Sequence, residues 1–144
     1  MPMAATQHWG YSRAMAETLP CIVKVFLVED SALIRERVTG LLQRGDLAVV
    51  GHARTPQAAI DGILAAHPCV VVLDVQLEGG TGLQVLRAVR QAAPDIAFVV
   101  FSGNSDPAYR KLYLGAGAET FLDKSTQFDQ LVQAVTKASQ HVHI

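Results

Sequence analysis

The sequence holds little of what several specialised protein classes require. It has two cysteines, Cys21 and Cys69, each just ahead of an apolar run and neither in a metal-ligand spacing. That usage argues against a zinc site or a disulfide framework and for buried free thiols in the reducing cytoplasm. No run of about eighteen apolar residues occurs, so no transmembrane helix and no membrane partner are expected. Residues 1–20 carry small and polar side chains without an apolar h-region. They are therefore read as a flexible extension rather than a secretory signal, with Met15 as a candidate second start. The formal net charge is -1, which offers no electrostatic reason to expect direct contact with nucleic acid. Internal repeats, low-complexity tracts and a phosphate-binding loop ending Gly-Lys-Ser/Thr are missing. Gly115-Ala116-Gly117 falls after a helical stretch and before a strand, the wrong context for a dinucleotide fingerprint.

What is present is apolar and alternating. Half of the 144 residues are hydrophobic, enough for one full core, which is assigned to a single domain over residues 21–144. Val70 to Leu73 is an unbroken apolar run ending on Asp74. Four apolar residues without alternation suit a strand buried on both faces, as at the centre of a parallel sheet. Asp74 would then stand at the carboxyl edge, where open α/β sheets bind their ligands. Ile22 to Val28 ends on Glu29 and Asp30, Ile96 to Phe101 ends on Ser102, and Thr120 to Leu122 is followed by Asp123 and Lys124. If these strands are parallel, Glu29, Asp30, Asp74, Ser102 and Lys124 meet at one rim.

Helical stretches separate the strands. Ser31 can cap a helix with Ile34, Val38 and Leu41 on one face, ended by Gly45-Asp46. Leu47 to Ala53 reads as the second strand. Thr55-Pro56 and Asp106-Pro107 each pair a capping side chain with proline at the first helical position. The inner stripes are Ile60, Ile63 and Leu64 in the second helix, Leu86, Val89 and Ala93 in the third, and Phe128, Leu131, Val135 and Ala138 in the last, with Ser125 or Thr126 as its cap. Five strand-helix units with short connections predict a parallel sheet with helices on both faces and right-handed crossovers.

The rim has a definite chemistry. Carboxylates within hydrogen-bonding distance repel one another, and a buried unpaired charge is costly. A hard divalent cation resolves the repulsion, since magnesium accepts one or two carboxylates plus a backbone carbonyl and keeps several waters. Such a cation also shields an incoming phosphoryl group, with Asp74 as nucleophile and Ser102 and Lys124 on the remaining oxygens. The plainer reading is that Lys124 neutralises surplus carboxylates in a structural ion pair.

The order of these residues resembles the receiver domain of two-component response regulators. The likeness rests on Glu29-Asp30-Ser31, Asp74, Gly82-Leu83, Ser102-Gly103 and Phe121-Leu122-Asp123-Lys124, and covers about Ile22 to Ser139. It implies a flavodoxin-like doubly wound five-stranded sheet of order 2-1-3-4-5. It also implies Asp74 as phosphoacceptor, with Asp30, Asp74 and the Gln76 backbone carbonyl as ligands of Mg2+, or Mn2+ in its place, and Glu29 acting through a metal-bound water. Ser102 and Phe121 become the switch pair and Lys124 the ammonium partner of the phosphoryl group. On physical grounds alone Phe121 reads as plain core, since an aromatic in a half-buried strand needs no further explanation. Glu78 stands where the family often has proline, and Ser125 replaces a proline that commonly follows the lysine across a cis bond. A cis bond before a residue other than proline costs about 3 kcal/mol, which leaves the geometry of Lys124–Ser125 open.

The expected function is that of a stand-alone phosphoacceptor in a phosphorelay, a signalling domain rather than an enzyme, assisting its own phosphorylation and dephosphorylation. The donor is a histidine kinase or histidine phosphotransfer protein. Output runs through the face of the fourth helix, fifth strand and fifth helix, where homodimerisation is an option. Alternatives are a fragment of a longer transcriptional regulator and a phosphorylation-independent interaction module on the same fold. A flavin or nucleotide module lacks its phosphate cradle, since Glu29 and Asp30 occupy the first strand-to-helix turn. An aspartyl phosphatase would usually carry an acid at position 76, where this chain has Gln76.

Overall fold

The computed structural model describes residues 22–140. The expected extension and Cys21 lie outside them. The chain runs β1 (Lys24–Val28), α1 (Ala32–Arg44), β2 (Ala48–Ala53), α2 (Pro56–Ala66), β3 (Val70–Leu73), α3 (Gly82–Ala92), β4 (Ala97–Ser102), α4 (Pro107–Gly115), β5 (Thr120–Asp123) and α5 (Leu131–Gln140). A two-residue antiparallel ribbon, Gln76–Leu77 against Gly80–Thr81, lies between β3 and α3. The main sheet is parallel with order β2-β1-β3-β4-β5, the flavodoxin-like arrangement expected.

Alternation sorts the strand side chains onto two cores. Phe26, Val28, Val71, Leu73, Phe98, Val100 and Phe121 pack on one face with Ala59 and Ile63 of α2, Val85, Leu86 and Val89 of α3, and Tyr113 of α4. Val25, Leu27, Val70, Val72, Val99, Phe101 and Leu122 pack on the other with Val38 and Leu42 of α1 and Leu131, Val135 and Ala138 of α5. Both faces of β3 and β4 are therefore covered, which is why these strands read as unbroken apolar runs.

Local signals set several boundaries. Thr55 and Asp106 cap α2 and α4, accepting from Ala58 N–H at 3.3 Å and Ala108 N–H at 2.8 Å, with Pro56 and Pro107 next. Ser31 caps α1 through Ile34 N–H at 3.3 Å. His67 ends α2 in the left-handed region, at φ 47°.

Four sequence expectations need correction. Ile22 is 71% exposed and outside β1, because pairing with β2 begins only at Lys24 opposite Ala48. Leu64 lies on the outer face of α2, since Ala59 and Ile63 take the inner positions. Cys69 is exposed rather than buried; it occupies the turn into β3, one residue before the covered stretch begins. Neither Ser125 nor Thr126 caps the last helix. Asp123 accepts from both the N–H and the hydroxyl of Ser125, at 2.8 and 2.6 Å, forming a turn that leads into a short 3-10 segment at Phe128–Gln130 before α5. The peptide bonds of the described chain are trans, Lys124–Ser125 included.

Candidate functional site

Parallel registration builds the rim from backbone outward. Val28 lies beside Leu73 and Leu73 beside Val100, while Ser102 lies beside Asp123. The residues that follow are tied to neighbouring strands. Glu29 N–H donates to Ala53 C=O at 3.0 Å, Asp74 N–H to Val28 C=O at 3.0 Å, and Lys124 N–H to Ser102 C=O at 2.9 Å. Glu29 and Asp74 thus leave neighbouring strands at the same level, and Lys124 leaves β5 two residues further along, across β4.

Their side chains converge. Lys124 Nζ donates to Glu29 Oε1 at 2.5 Å and to Asp74 Oδ2 at 3.0 Å. The second oxygen of each acid is also bound, Glu29 Oε2 by Ser31 N–H at 3.1 Å and Asp74 Oδ1 by Val75 N–H at 2.7 Å. Glu29 and Asp74 are buried, at 7% and 8% exposure, whereas Asp30 is exposed. Burial pushes the Glu29 carboxyl above its usual range against the opposing Lys124 hydrogen bond, and the Asp74 charge pushes the same way. Burial alone would favour a neutral amine at Lys124, but the hydrogen bond to Glu29 and the Asp74 charge outweigh it and raise its pKa. Lys124 is the firmly charged member, and Glu29 is an acid held with difficulty.

Carboxylate oxygens of Glu29, Asp30 and Asp74 lie within 4.8 Å of one another. Three carboxylates against the single Lys124 ammonium leave two negative charges, all on hard oxygen donors. That donor set and charge suit a divalent ion of the magnesium type. Asp30, Asp74, Gln76, Ser102, Asn104, Ser105, Asp106 and Lys124 line an open cleft of about 710 Å³. Ser102 is 2% exposed, and its Oγ accepts from Asn104 N–H at 3.1 Å. The five rim residues read from strand ends therefore meet as expected. Gln76 joins the same cleft with its side chain exposed, while Phe121 lies beneath the sheet rim, buried in the core.

Three supporting groups escape sequence reading. Arg35 Nη1 donates to Glu29 C=O at 2.9 Å, holding the acidic turn from inside α1. Val75 N–H orients Asp74, and Arg110 Nη1 donates to Phe121 C=O at 2.8 Å. A backbone amide or carbonyl leaves no mark in a residue pattern, so nothing in the sequence singles these contacts out. The loop with Glu78 in place of proline is tethered too, Glu78 N–H donating to Arg54 C=O at 3.1 Å. Gly82 allows α3 to begin against this loop, since a Cβ there would stand 2.1 Å from Asp74 O.

Residues 25–136 match the model of the response regulator receiver domain. The chain belongs to this family. Among curated relatives, the DNA-binding transcriptional activator DevR/DosR of Mycobacterium tuberculosis is 36% identical to the receiver over 116 residues, 79% of this chain and 53% of that protein. Response regulator GacA of Pseudomonas protegens is 30% identical over 115 residues, 79% of this chain and 54% of that one. The signal receiver domain of NarL from Mycobacterium tuberculosis superposes with a TM-score of 0.79 at 33% identity, covering 85% of this receiver and 99% of that chain. The receiver spans about half the length of these two curated relatives. Among its described residues, no helix is long and apolar enough to cross a membrane.

Proposed function

We propose that this receiver takes a phosphoryl group onto Asp74 from a phosphohistidine of a histidine kinase or phosphotransfer protein. A carboxylate oxygen of Asp74 attacks phosphorus, the P–N bond breaks, and the imidazole leaves with the bonding electron pair, giving an aspartyl phosphate. Asp30, Asp74 and the Gln76 carbonyl would hold Mg2+, with Glu29 reaching it through water; the cation would offset charge on the transferring phosphoryl oxygens. Lys124 donates to those oxygens, and its partner Glu29 holds it in place before transfer. Ser102 already accepts from Asn104 N–H, so its own proton is left for a phosphoryl oxygen. The observation that carries this reading is the bridging of Glu29 and Asp74 by Lys124 Nζ at 2.5 and 3.0 Å, across 95 and 50 residues of sequence. A purely structural ion pair would not need a third acid, Asp30, exposed at the mouth of a polar cleft.

Output through α4, β5 and α5, by a partner protein or a second copy, follows from the same reading. The relatives favour one particular setting: a receiver that governs an attached or separate output domain, as the named DNA-binding function of DevR/DosR suggests. On this reading nucleic acid contact would belong to the output element, and the receiver itself would work in the cytoplasm. Incubation with acetyl phosphate and Mg2+ followed by intact-mass measurement tests the core of the proposal. One added phosphoryl group is expected, lost with EDTA and absent in Asp74→Asn; no gain, or a gain retained by Asp74→Asn, defeats it.

A further inference from the structure

Arg35 makes an unusual choice of partner. It lines a narrow pocket with Glu29, Val38, Asp74 and Phe101, so two carboxylate residues border the same space. Yet no ion pair among the described residues includes it. Its Nη1 donates instead to the neutral Glu29 C=O, at 2.9 Å. Helix stability does not account for a cation here, because Arg35 stands near the start of α1, where the helix dipole disfavours positive charge.

The backbone supplies a reason. Glu29 N–H donates to the C=O of Ala53, the last residue of β2, and with that strand finished the Glu29 carbonyl is taken by Arg35. A backbone carbonyl away from water needs such a partner. The main-chain N–H of Arg35 donates at the same time to Ser31 C=O at 3.0 Å, and Ser31 N–H returns to Glu29 Oε2 at 3.1 Å. One residue thus grips the acidic turn on both sides of Asp30. Asp30 is exposed, so its direction is set by this backbone rather than by packing.

We propose that Arg35 is a positioning residue that presents Asp30 to the divalent cation shared with Asp74 and so sets how tightly that cation is held. The inference rests on the cation reading of the rim given above. Magnesium demands near-ideal octahedral geometry, so a turn free to rotate about the Glu29–Asp30 peptide gives up affinity even with every carboxylate still present. Groups that orient ligands without touching the metal are typically worth 10–100-fold in affinity.

A Mg2+ titration of the full chain, followed by the amide NMR signals of Asp30, Ser31 and Val75, tests this without phosphoryl transfer. Arg35→Met removes the donor, and Arg35→Lys keeps a cationic donor that can reach the same carbonyl. Before any metal is added, the Asp30 and Ser31 amides should shift in Arg35→Met. Its Mg2+ affinity should then fall about tenfold, the lower end for such groups, while Arg35→Lys stays within about threefold of the parent. Urea midpoints of both variants identify any loss that comes from unfolding. Equal or tighter binding by folded Arg35→Met, or Arg35→Lys as weak as Arg35→Met, overturns the role of Arg35 and leaves the cation site standing. A parent chain whose rim amides ignore Mg2+ removes the cation reading itself, and this inference with it.

Discussion

Replacing Lys124 by methionine keeps most of the apolar stem and removes the charge that two buried acids share. In the parent structure the relative exposures of the Lys124, Glu29 and Asp74 side chains are 16%, 9% and 11%. Breaking a buried ion pair from one side costs about 3–5 kcal/mol, because the remaining charge is left without compensation. The open cleft above lets water reach the acids in part, which puts the expected loss near the lower end, about 3 kcal/mol. Against the ~5–15 kcal/mol total of an ordinary domain this is a large fraction. With a urea slope of ~2 kcal/mol/M, the midpoint should fall by about 1.5 M in metal-free buffer at pH 7. The loss should then depend on conditions in a definite direction. Without the ammonium, the buried Glu29 carboxyl binds a proton more readily folded than unfolded, so the deficit shrinks as pH falls toward the carboxylate range and is full at neutral pH. Mg2+ should recover part of it by supplying positive charge at the same place. A deficit below about 0.5 kcal/mol at pH 7 without metal, or one that deepens on acidification, would refute the electrostatic account of this rim.

Gly82→Ala should damage the site without touching a charged group. The added methyl meets Asp74 O at 2.1 Å, so backbone must move at a cost of about 1–3 kcal/mol, and acetyl phosphate uptake should slow; parent-like stability and uptake would show that the loop has slack. Burial pushes the Tyr113 phenol from 10.0 up to about 12. Its contribution to stability is therefore complete below pH 10 and lost as pH rises from 10 toward 12, and the 295 nm difference titration between parent and Tyr113→Phe should have its midpoint near the upper value. A midpoint near that of a free phenol would contradict the buried placement. Thr55→Ala removes the α2 cap and should cost about 1 kcal/mol by urea melting, with no effect on phosphoryl uptake.

Much of the architecture was legible because it depends on local chemistry. Thr55-Pro56 and Asp106-Pro107 announce helix starts through hydrogen bonds spanning two or three residues, which need no tertiary partner. Val70 to Leu73 announces a central strand because a segment covered on both sides can carry no polar residue. Parallel strands with right-handed crossovers then force their carboxyl ends to one edge. That topological constraint is why Glu29, Asp30, Asp74, Ser102 and Lys124 are gathered by the sequence from positions as distant as 29 and 124.

The failures share a different cause. Ile22 and Leu64 looked like core because they are apolar and near the right phase, but burial is decided by what the neighbouring element covers, and β2 and the inner stripe of α2 stop short of them. Cys69 is exposed for the same reason, a single residue outside the cover that begins at Val70. Tertiary structure alone decided that Arg35 would hold the Glu29 carbonyl, that Val75 N–H would orient Asp74, and that Tyr113 would meet Phe121 edge to face. By itself, the chain's order of residues determined which side chains arrive at the rim, since strand ends and crossover handedness leave few choices. Backbone partners and the exact cover of each face were settled only by packing, because amides and carbonyls are the same in every residue and acquire identity from where helices come to rest.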